Sequence, residues 1–377
     1  MKKQKVKILF AGDFCARFPE RIEVSEKLKK IINSCNINFI NFEGPLPLGE
    51  LDVPNKTVLN QSLNSPEWCE SLGFNVVSLA NNHSLDYGPE GMVNTTKAFN
   101  NSAVIGVGNW EEAYNIKIIT VGAIKIGFLA ASSCDFSSLK DKWTDKNKVG
   151  CAWINSSEIN KLIIQNRDHC DYLYVIPHGG LEYMNVPLPE WRDRYREIID
   201  YGADGVIATH PHVPQGVEIY KNKPIFYSLG NFYFDTAAPR KKFWDNGLLG
   251  MITIVDDKVE ISTLSTIRDG HSIDIDKSDS INNHLLELNS ILKNDKEYLD
   301  CVNDSVLSFL PKYKSWLLSG FGAVEIKFTL KTFYKIVNIL RLRKGGPNHK
   351  IAMHQIREES TRWAITRALK IKSNSHL

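Results

Sequence analysis

The chain has 377 residues, a hydrophobic fraction of 43%, a charged fraction of 24% and a formal net charge of +3. That is an ordinary composition for a soluble globular protein, long enough for one large domain with an appendage or for two domains. No apolar run approaches the length of a membrane span. The charge is uneven: residues 311–377 hold 14 Lys/Arg against 3 Asp/Glu, a surplus of 11, which leaves the preceding 310 residues at −8.

The N-terminal segment MKKQKVKILFAGDF places lysines before an apolar patch, as a signal peptide does. The patch, Val6–Ala11, is short, ends in Gly12-Asp13 and has no small-residue cleavage site, so it reads as a first strand and predicts a cytoplasmic protein. Strand-like runs follow at Phe39–Phe42, Val76–Leu79, Ile116–Val121, Ile124–Ala130, Tyr172–Pro177, Gly205–Ala208, Lys223–Tyr227, Leu248–Val255 and Val259–Thr266. Helical patterns lie between several of them, at Glu23–Asn33, Pro89–Asn101, Ser157–Asp168 and Pro189–Tyr201. This alternation predicts an α/β domain. Two pairs without an intervening helix read as hairpins, turning at Gly122-Ala123 and at Asp256-Asp257-Lys258. A mixed sheet, or two sheets face to face with helices outside, fits better than a purely parallel sheet.

Beyond about residue 275 the texture changes. Ile275–Lys296 and Asp304–Leu318 read as helices, and Leu330–Arg343 and Ile351–Ile371 as basic amphipathic ones. The expected organisation is a domain over residues 1–275 and a basic helical C-terminal extension over 276–377. The basic extension is either a means of approaching an acidic or membrane surface or a solvated helical face. The seven cysteines, Cys15, Cys35, Cys69, Cys134, Cys151, Cys170 and Cys301, show no CxxC and no regular spacing, which fits reduced thiols.

The chemistry concentrates where apolar runs stop. The first strand breaks into Asp13, the second into Glu43, the third into Asn82-His83 and Asp86. The strand Tyr172–Pro177 ends at His178, with Glu182 close behind, and Gly205–Ala208 ends at His210-Pro211-His212. Pro211 predicts an extended backbone just before it. Alpha/beta sheets place ligands at strand carboxyl ends, and five polar strand ends are hard to explain by core packing. Mixed carboxylate, amide and imidazole donors suit Mn, Zn or Fe, as one ion or as two about 3.5–4 Å apart that share a carboxylate and activate water.

The motifs GDF, NFEGP, SLANNHSLDYG, HGGLEY, GADGVIATHPHVPQGVEIY and YSLGNFYFD, in this order, resemble the CapA-like family of poly-gamma-glutamate capsule biosynthesis proteins. That family is related to the calcineurin-like metallophosphoesterases. The resemblance covers roughly residues 5 to 270 and implies a four-layer α-β-β-α sandwich, metallophosphatase-like, with the basic helical extension outside it. It implies that Asp13 and His212 hold one metal, that Glu43 bridges, and that Asn82, His178 and His210 hold the other. His83 matches the histidine that contacts substrate or serves the leaving group. The first motif departs from the Asp-x-His of metallophosphoesterases, since Cys15 stands where their histidine would be, and the bridging residue is Glu rather than Asp.

Several residues carry two readings. Glu182 is a general base or ligand-orienting carboxylate, or else a surface loop carboxylate. Asp86 fixes the His83 tautomer or caps the helix near Pro89. Asn231, after the turn at Gly230, is expected to contact substrate, as is Glu218, which the family pattern includes. Arg17 and Arg240 are candidates for recognising an anionic substrate. The absence of a GxxxxGK[ST] loop and of a GxSxG elbow argues against ATP-driven ligation and serine hydrolysis. No RNA-binding motif accompanies the basic helices, so no nucleic acid is expected. The reading is a capsule or surface-polymer biosynthesis protein, a metal-dependent hydrolase or transferase acting on an anionic polymer or glycan precursor. The alternative is a non-catalytic polymer-binding scaffold with partners in a synthesis or export complex.

Overall fold

The computed structural model of the protein describes residues 5–51, 57–235, 241–256, 258–320 and 357–374. Along the chain run β1 (Lys5–Cys15), β2 (Glu23–Val24), β3 (Ile37–Phe42), β4 (Val76–Ser78), β5 (Ala103–Ile105) and β6 (Val107–Gly108). Then come β7 (Lys117–Val121), β8 (Ile124–Ser132), β9 (Ser138–Leu139), β10 (Gly150–Ala152), β11 (Tyr172–His178) and β12 (Gly205–Ile207). The remainder are β13 (Val217–Tyr220), β14 (Lys223–Phe226), β15 (Asn231–Phe234), β16 (Asn246–Val255), β17 (Lys258–Asp269) and β18 (Ser272–Ile275).

They form two large sheets and a small one. The first has the order β2-β18-β17-β16-β1-β3-β4-β5, with β15 also pairing β1, and the second β13-β14-β12-β11-β8-β7. Both are mixed. In the first sheet the parallel run β1-β3-β4-β5 reaches the edge at β5, with antiparallel β16 beside β1; in the second, antiparallel β7 and β13 flank the parallel run β8-β11-β12-β14. Central parallel strands are covered on both faces, which is why β1 and β11 read as nearly unbroken apolar runs.

The sheets pack face to face. Phe10 of β1 meets Phe128 of β8 at 6.3 Å and Tyr174 of β11 at 5.6 Å between ring centroids. Helices cover the outer faces. Leu28 and Ile32 of the helix Glu26–Asn33, and Cys69 and Leu72 of Ser65–Leu72, join the core of the first sheet. Ile159 and Ile163 of Ser157–Asn166, and Trp191, Tyr195 and Ile198 of Pro189–Asp200, cover the second. The architecture is therefore the four-layer α-β-β-α sandwich that the sequence predicts.

Local chemistry sets the helix boundaries. Ser25 and Ser156 cap two N-termini by accepting from Leu28 N and Glu158 N. Glu23–Val24, expected inside the first helix, pairs as a strand with β18 because the cap at Ser25 starts the helix later. The helix Ser65–Leu72 escapes a periodicity reading because it spans only two turns; it closes on Gly73 at φ 106°. The expected helix Ile275–Lys296 is corrected. Ile275 ends β18, the helix spans Asp279–Ile291, and a second runs Asp295–Gly320 without the break expected before Asp304.

The extension docks on the sandwich. Tyr298 donates to Pro187 O (2.9 Å), and Arg192 of the helix Pro189–Asp200 to Leu292 O (2.6 Å). The helix Glu359–Asn374 buries Ala364 and Ala368 in the core of the second sheet. Its buried Glu359 carboxylate accepts from Cys134 N, Trp153 Nε1 and Asn155 Nδ2. Its apolar face is thus used internally, and Arg362, Lys370 and Lys372 stay exposed. The expected helix Leu330–Arg343 lies outside the described residues. Among the described residues no helix is long and apolar enough to cross a membrane.

Candidate metal centre

The polar strand ends meet at one edge of the sandwich. Asp13 lies where β1 shifts register between β3 and β15, and its backbone N–H donates to Gly230 O at 2.9 Å. That approach requires Gly12, since a Cβ there would stand 1.9 Å from Gly230 O. Gln61 donates to Phe14 O and Glu43 O at 2.8 and 2.9 Å, which ties the end of β1 to the segment bearing Glu43. His210 and His212 both have left-handed backbones, φ 100° and 58°. The extended backbone expected before Pro211 is absent at His210. The His210 N–H instead donates to Asp13 Oδ2 at 3.1 Å, which fixes the unusual conformation. Strain of this kind costs about 1–3 kcal/mol and persists where surrounding structure over-determines it.

Two groups of potential ligands result, and they share one residue. Glu43, His178 and His210 each offer an atom, with those atoms within 4.8 Å of one another, and so do Asp13, Glu43 and His212. Asn82 adds to the first group, its Oδ1 lying 2.9 Å from His178 Nε2, while His210 Nδ1 is 3.1 Å from the same nitrogen. Atoms bonded to one ion at about 2.0–2.2 Å stand roughly 3.0–3.5 Å apart, so this donor set has the size and chemistry of a borderline divalent site. Glu43 faces His178 Nε2 at 3.9 Å and His212 Nε2 at 3.7 Å.

Burial governs the electrostatics. It holds His178 well below the usual imidazole range, with the neighbouring His210, His212 and His83 adding to the effect. It pulls His210 down to about 4, against a partial opposing pull from Glu182. Neutral rings keep a lone pair for a cation. Burial also pushes the Asp13 carboxyl up, opposed by His212 and by hydrogen bonds from His210 N–H and Asn41. Such a carboxylate gains from a nearby positive charge.

His83 sits beside both groups, with Nε2 3.9 Å from Glu43 and Nδ1 2.6 Å from the Asp86 carboxylate. Asp86 holds that ring rather than capping the next helix, whose N-cap is Tyr87 without a side-chain bond. Glu182, half-buried, influences His210. Cys15 belongs to neither ligand group. Its thiol is buried with Phe234 and Trp244, and burial pushes its pKa far up.

The two expected substrate contacts are both engaged by protein groups. Asn231 is buried and committed to protein: its Oδ1 accepts from His212 Nδ1 at 3.0 Å and its Nδ2 donates to His212 O and Trp244 O. It orients His212, leaving Nε2 turned toward Glu43. Glu218, on β13, is occupied by Arg192 and Arg196 of the helix Pro189–Asp200 and by the hydroxyl of Tyr227 just past β14, and these partners hold its carboxyl below its usual range against the cost of burial. Arg17 is exposed, and Arg240 lies outside the described residues.

Other contributors escaped the sequence reading. Asn41, 1% exposed, donates to Asp13 Oδ1 at 2.7 Å and lies 3.2 Å from His178 Nδ1, which Thr209 Oγ1 also approaches at 3.0 Å. The available signal was spacing: Asn41 on β3 lies two residues before Glu43, which follows the strand's end. Phe234 and Trp244 flank the His212 ring at 4.7 and 4.9 Å.

Residues 8–236 match the family model described as bacterial capsule synthesis protein PGA_cap. The chain is 33% identical over 213 residues to the capsule biosynthesis protein CapA of Bacillus anthracis, covering 54% of this chain and 51% of that protein. It is 30% identical over 255 residues to the PGA biosynthesis protein CapA of Bacillus subtilis (strain 168), covering 62% and 64%. These matches therefore span about half to just under two thirds of the relatives' lengths. A solved structure of a putative 5'-nucleotidase from Staphylococcus aureus aligns with TM-score 0.45 and 14% identity over 75% of this chain and 58% of that one.

Proposed function

The chain belongs to the bacterial capsule synthesis protein family, and from that premise we propose that it is a metal-dependent hydrolase or transferase acting on an anionic surface polymer or its precursor. The observation that carries this reading is the pair of ligand groups that share Glu43. Asp13, Glu43 and His212 would hold one divalent ion, and Glu43, Asn82, His178 and His210 a second; Mn, Zn or Fe fits these donors. Bound there, the metal supplies Lewis acidity and a water or substrate hydroxyl of lowered pKa.

The chain's own groups supply positioning and proton transfer. Asp86 accepts a hydrogen bond from His83 Nδ1–H, so Nε2 faces the cluster, where the doubly protonated ring would donate its Nε2 proton to the leaving group. Asn231 holds His212 in the tautomer whose Nε2 is free. Phe234 and Trp244 exclude water from the His212 side. Glu182, from the loop after β11, acts as a base or steers His210.

A second reading, a polymer-binding scaffold without turnover inside a synthesis complex, is favoured by Cys15. It leaves the Asp13 group with three ligands where the related metallophosphoesterases carry a further histidine. One experiment separates them: metal analysis of purified protein, then Mn-dependent cleavage of phosphodiester and γ-glutamyl amide probes. The expected result is stoichiometric metal and turnover, both lost in His178→Ala and His210→Ala. Polymer binding without turnover under any metal selects the scaffold. Absent metal, with both variants behaving as wild type, removes the metal reading altogether.

A further inference from the structure

His178 and Asn82 both lean on a buried loop that offers no ligand of its own. That loop, residues 133–137, joins β8 to β9. Ser133 N donates to His178 O at 2.9 Å, and Ser137 Oγ donates to Asn81 O, one residue before Asn82, at 3.0 Å. Asp135 closes the loop on itself, accepting from Ser132 Oγ at 3.0 Å and from Ser137 Oγ at 2.8 Å. Ser133, Cys134, Asp135 and Ser137 are all buried.

The C-terminal helix grips these surroundings at two points. Glu359 and Ser360, its first two residues, are 3% and 1% exposed. One Glu359 oxygen accepts from Cys134 N at 3.1 Å and the other from Asn155 Nδ2 at 3.0 Å. Ile154 N, beside Asn155, donates to Ser132 O at 2.9 Å, so one carboxylate holds both segments that meet at the end of β8. Ser360 Oγ accepts from Trp191 Nε1 at 2.9 Å. The Trp191 ring in turn closes on Gly179, where a Cβ would stand 3.1 Å from it. His178 and Gly179 are thus bounded by Ser133 and Trp191, and the first turn of the C-terminal helix holds both. Ala364 and Ala368 already dock that helix by burial. A buried carboxylate is costly to desolvate and holds its donors in fixed directions, so what it adds is geometry.

We propose that Glu359, assisted by Ser360, is a positioning residue for the His178 and Asn82 ligands. A segment far beyond the family-matched residues 8–236 then sets the affinity of the second ion. The inference rests on the metal reading of that group. Ligand atoms must be held within about 0.5 Å of their working geometry, and outer groups bonded around them supply that hold. The separation at stake is the 2.9 Å between Asn82 Oδ1 and His178 Nε2. Asp13 and His212 have other partners, Gly230 and Asn231, so the first ion should be insensitive to Glu359.

The test is calorimetric titration of Mn, and separately of Zn, into the metal-free full chain, with the second ion defined as the one lost in His178→Ala. Glu359→Ala should weaken that ion about ten-fold and leave the other within about two-fold. Glu359→Gln keeps an acceptor for Cys134 N and should recover most of the affinity, while Ser360→Ala should weaken it about three-fold. These two variants decide the matter if Glu359→Ala does not fold. Tyr298→Phe removes the bond to Pro187 O and loosens the extension elsewhere; it should lower the melting temperature without changing metal affinity. Unchanged affinity in Glu359→Ala and Ser360→Ala, equal weakening of both ions, or a matching loss in Tyr298→Phe overturns the proposal and leaves the metal reading standing. Wild-type protein that binds neither metal, or only an ion that survives His178→Ala, removes the metal reading of this group and the proposal with it.

Discussion

The Asp86 carboxylate lies 2.6 Å from His83 Nδ1, while the other nitrogen of the ring faces Glu43 at 3.9 Å. Asp86 also accepts from Leu59 N at 2.8 Å, so its position is set by backbone as well as by the ring. The pair orders a proton-carrying group beside the candidate centre without joining either ligand group. Asp86→Asn should lower turnover roughly 10- to 100-fold while metal content stays at the wild-type level. Parallel metal analysis and steady-state rates check this; loss of metal in step with rate would mean that Asp86 supports the ligands instead.

Cys15 stands where metallophosphoesterases carry a histidine, and its thiol packs against Phe234 and Trp244. Cys15→Ala should leave metal stoichiometry unchanged and lower stability by about 1 kcal/mol through a small cavity. Metal titration and thermal melts read the two effects separately. A drop in bound metal would make the thiol a ligand.

Protonation of the buried imidazoles predicts an acid-sensitive metal-free protein. In the unfolded chain a histidine titrates near 6.5, whereas burial holds His210 at about 4 and His178 well below its usual range. Between those values the unfolded state binds protons that the folded state does not, so stability falls as pH drops from about 6.5 toward 4. The contribution of His210 is on the order of 3 kcal/mol. Asp13, pushed up by burial, works in the opposite sense, its contribution being lost as pH rises through its folded value. Urea unfolding of metal-free protein between pH 4.5 and 7 should show the slope, and His210→Gln should flatten it. An unaltered slope in that variant would remove His210 as its source.

Glu359 binds the C-terminal helix to the sandwich through Cys134 N, Trp153 Nε1 and Asn155 Nδ2. Glu359→Ala leaves these donors unsatisfied and should destabilise the protein by about 2–3 kcal/mol. Limited proteolysis should then cut the extension sooner. Wild-type melting and proteolysis would mean that the docked helix is held by Ala364, Ala368 and their apolar neighbours alone.

Gly12 lets β1 pass against Gly230 and so aims Asp13. Gly12→Ala places a methyl 1.9 Å from Gly230 O, and backbone must move to relieve it. The expected outcome is a loss of about 2–3 kcal/mol or more, with weakened metal uptake. Calorimetry and metal titration of the same sample check both; a wild-type result would require the β15 connection to shift freely.

Much of the centre is legible in the sequence because it is made from strand ends. An apolar run that stops at Asp13, Glu43, His178 or His210 carries its own direction, and parallel strands bring such ends to one edge. Asn41 was legible only in principle, through its two-residue spacing from Glu43. The partners of Asn231 and Glu218 were not legible: neighbours along the chain suggest a cleft, but the groups they bond, His212 and Trp244 for one and Arg192, Arg196 and Tyr227 for the other, come from elsewhere.

The sequence by itself determined the alternating elements and the list of polar strand ends, since periodicity and termination are local properties of a strand or helix, while the two-sheet sandwich was legible only through the family resemblance. Tertiary structure alone decided that Glu43 stands between two ligand groups, that Cys15 is packed away, that His210 gives up the backbone Pro211 prefers, and that the last helix is docked by Glu359. Each of these depends on a pairing between segments far apart in the chain, and such pairings are chosen by burial and hydrogen-bond satisfaction across the whole core rather than by any local preference.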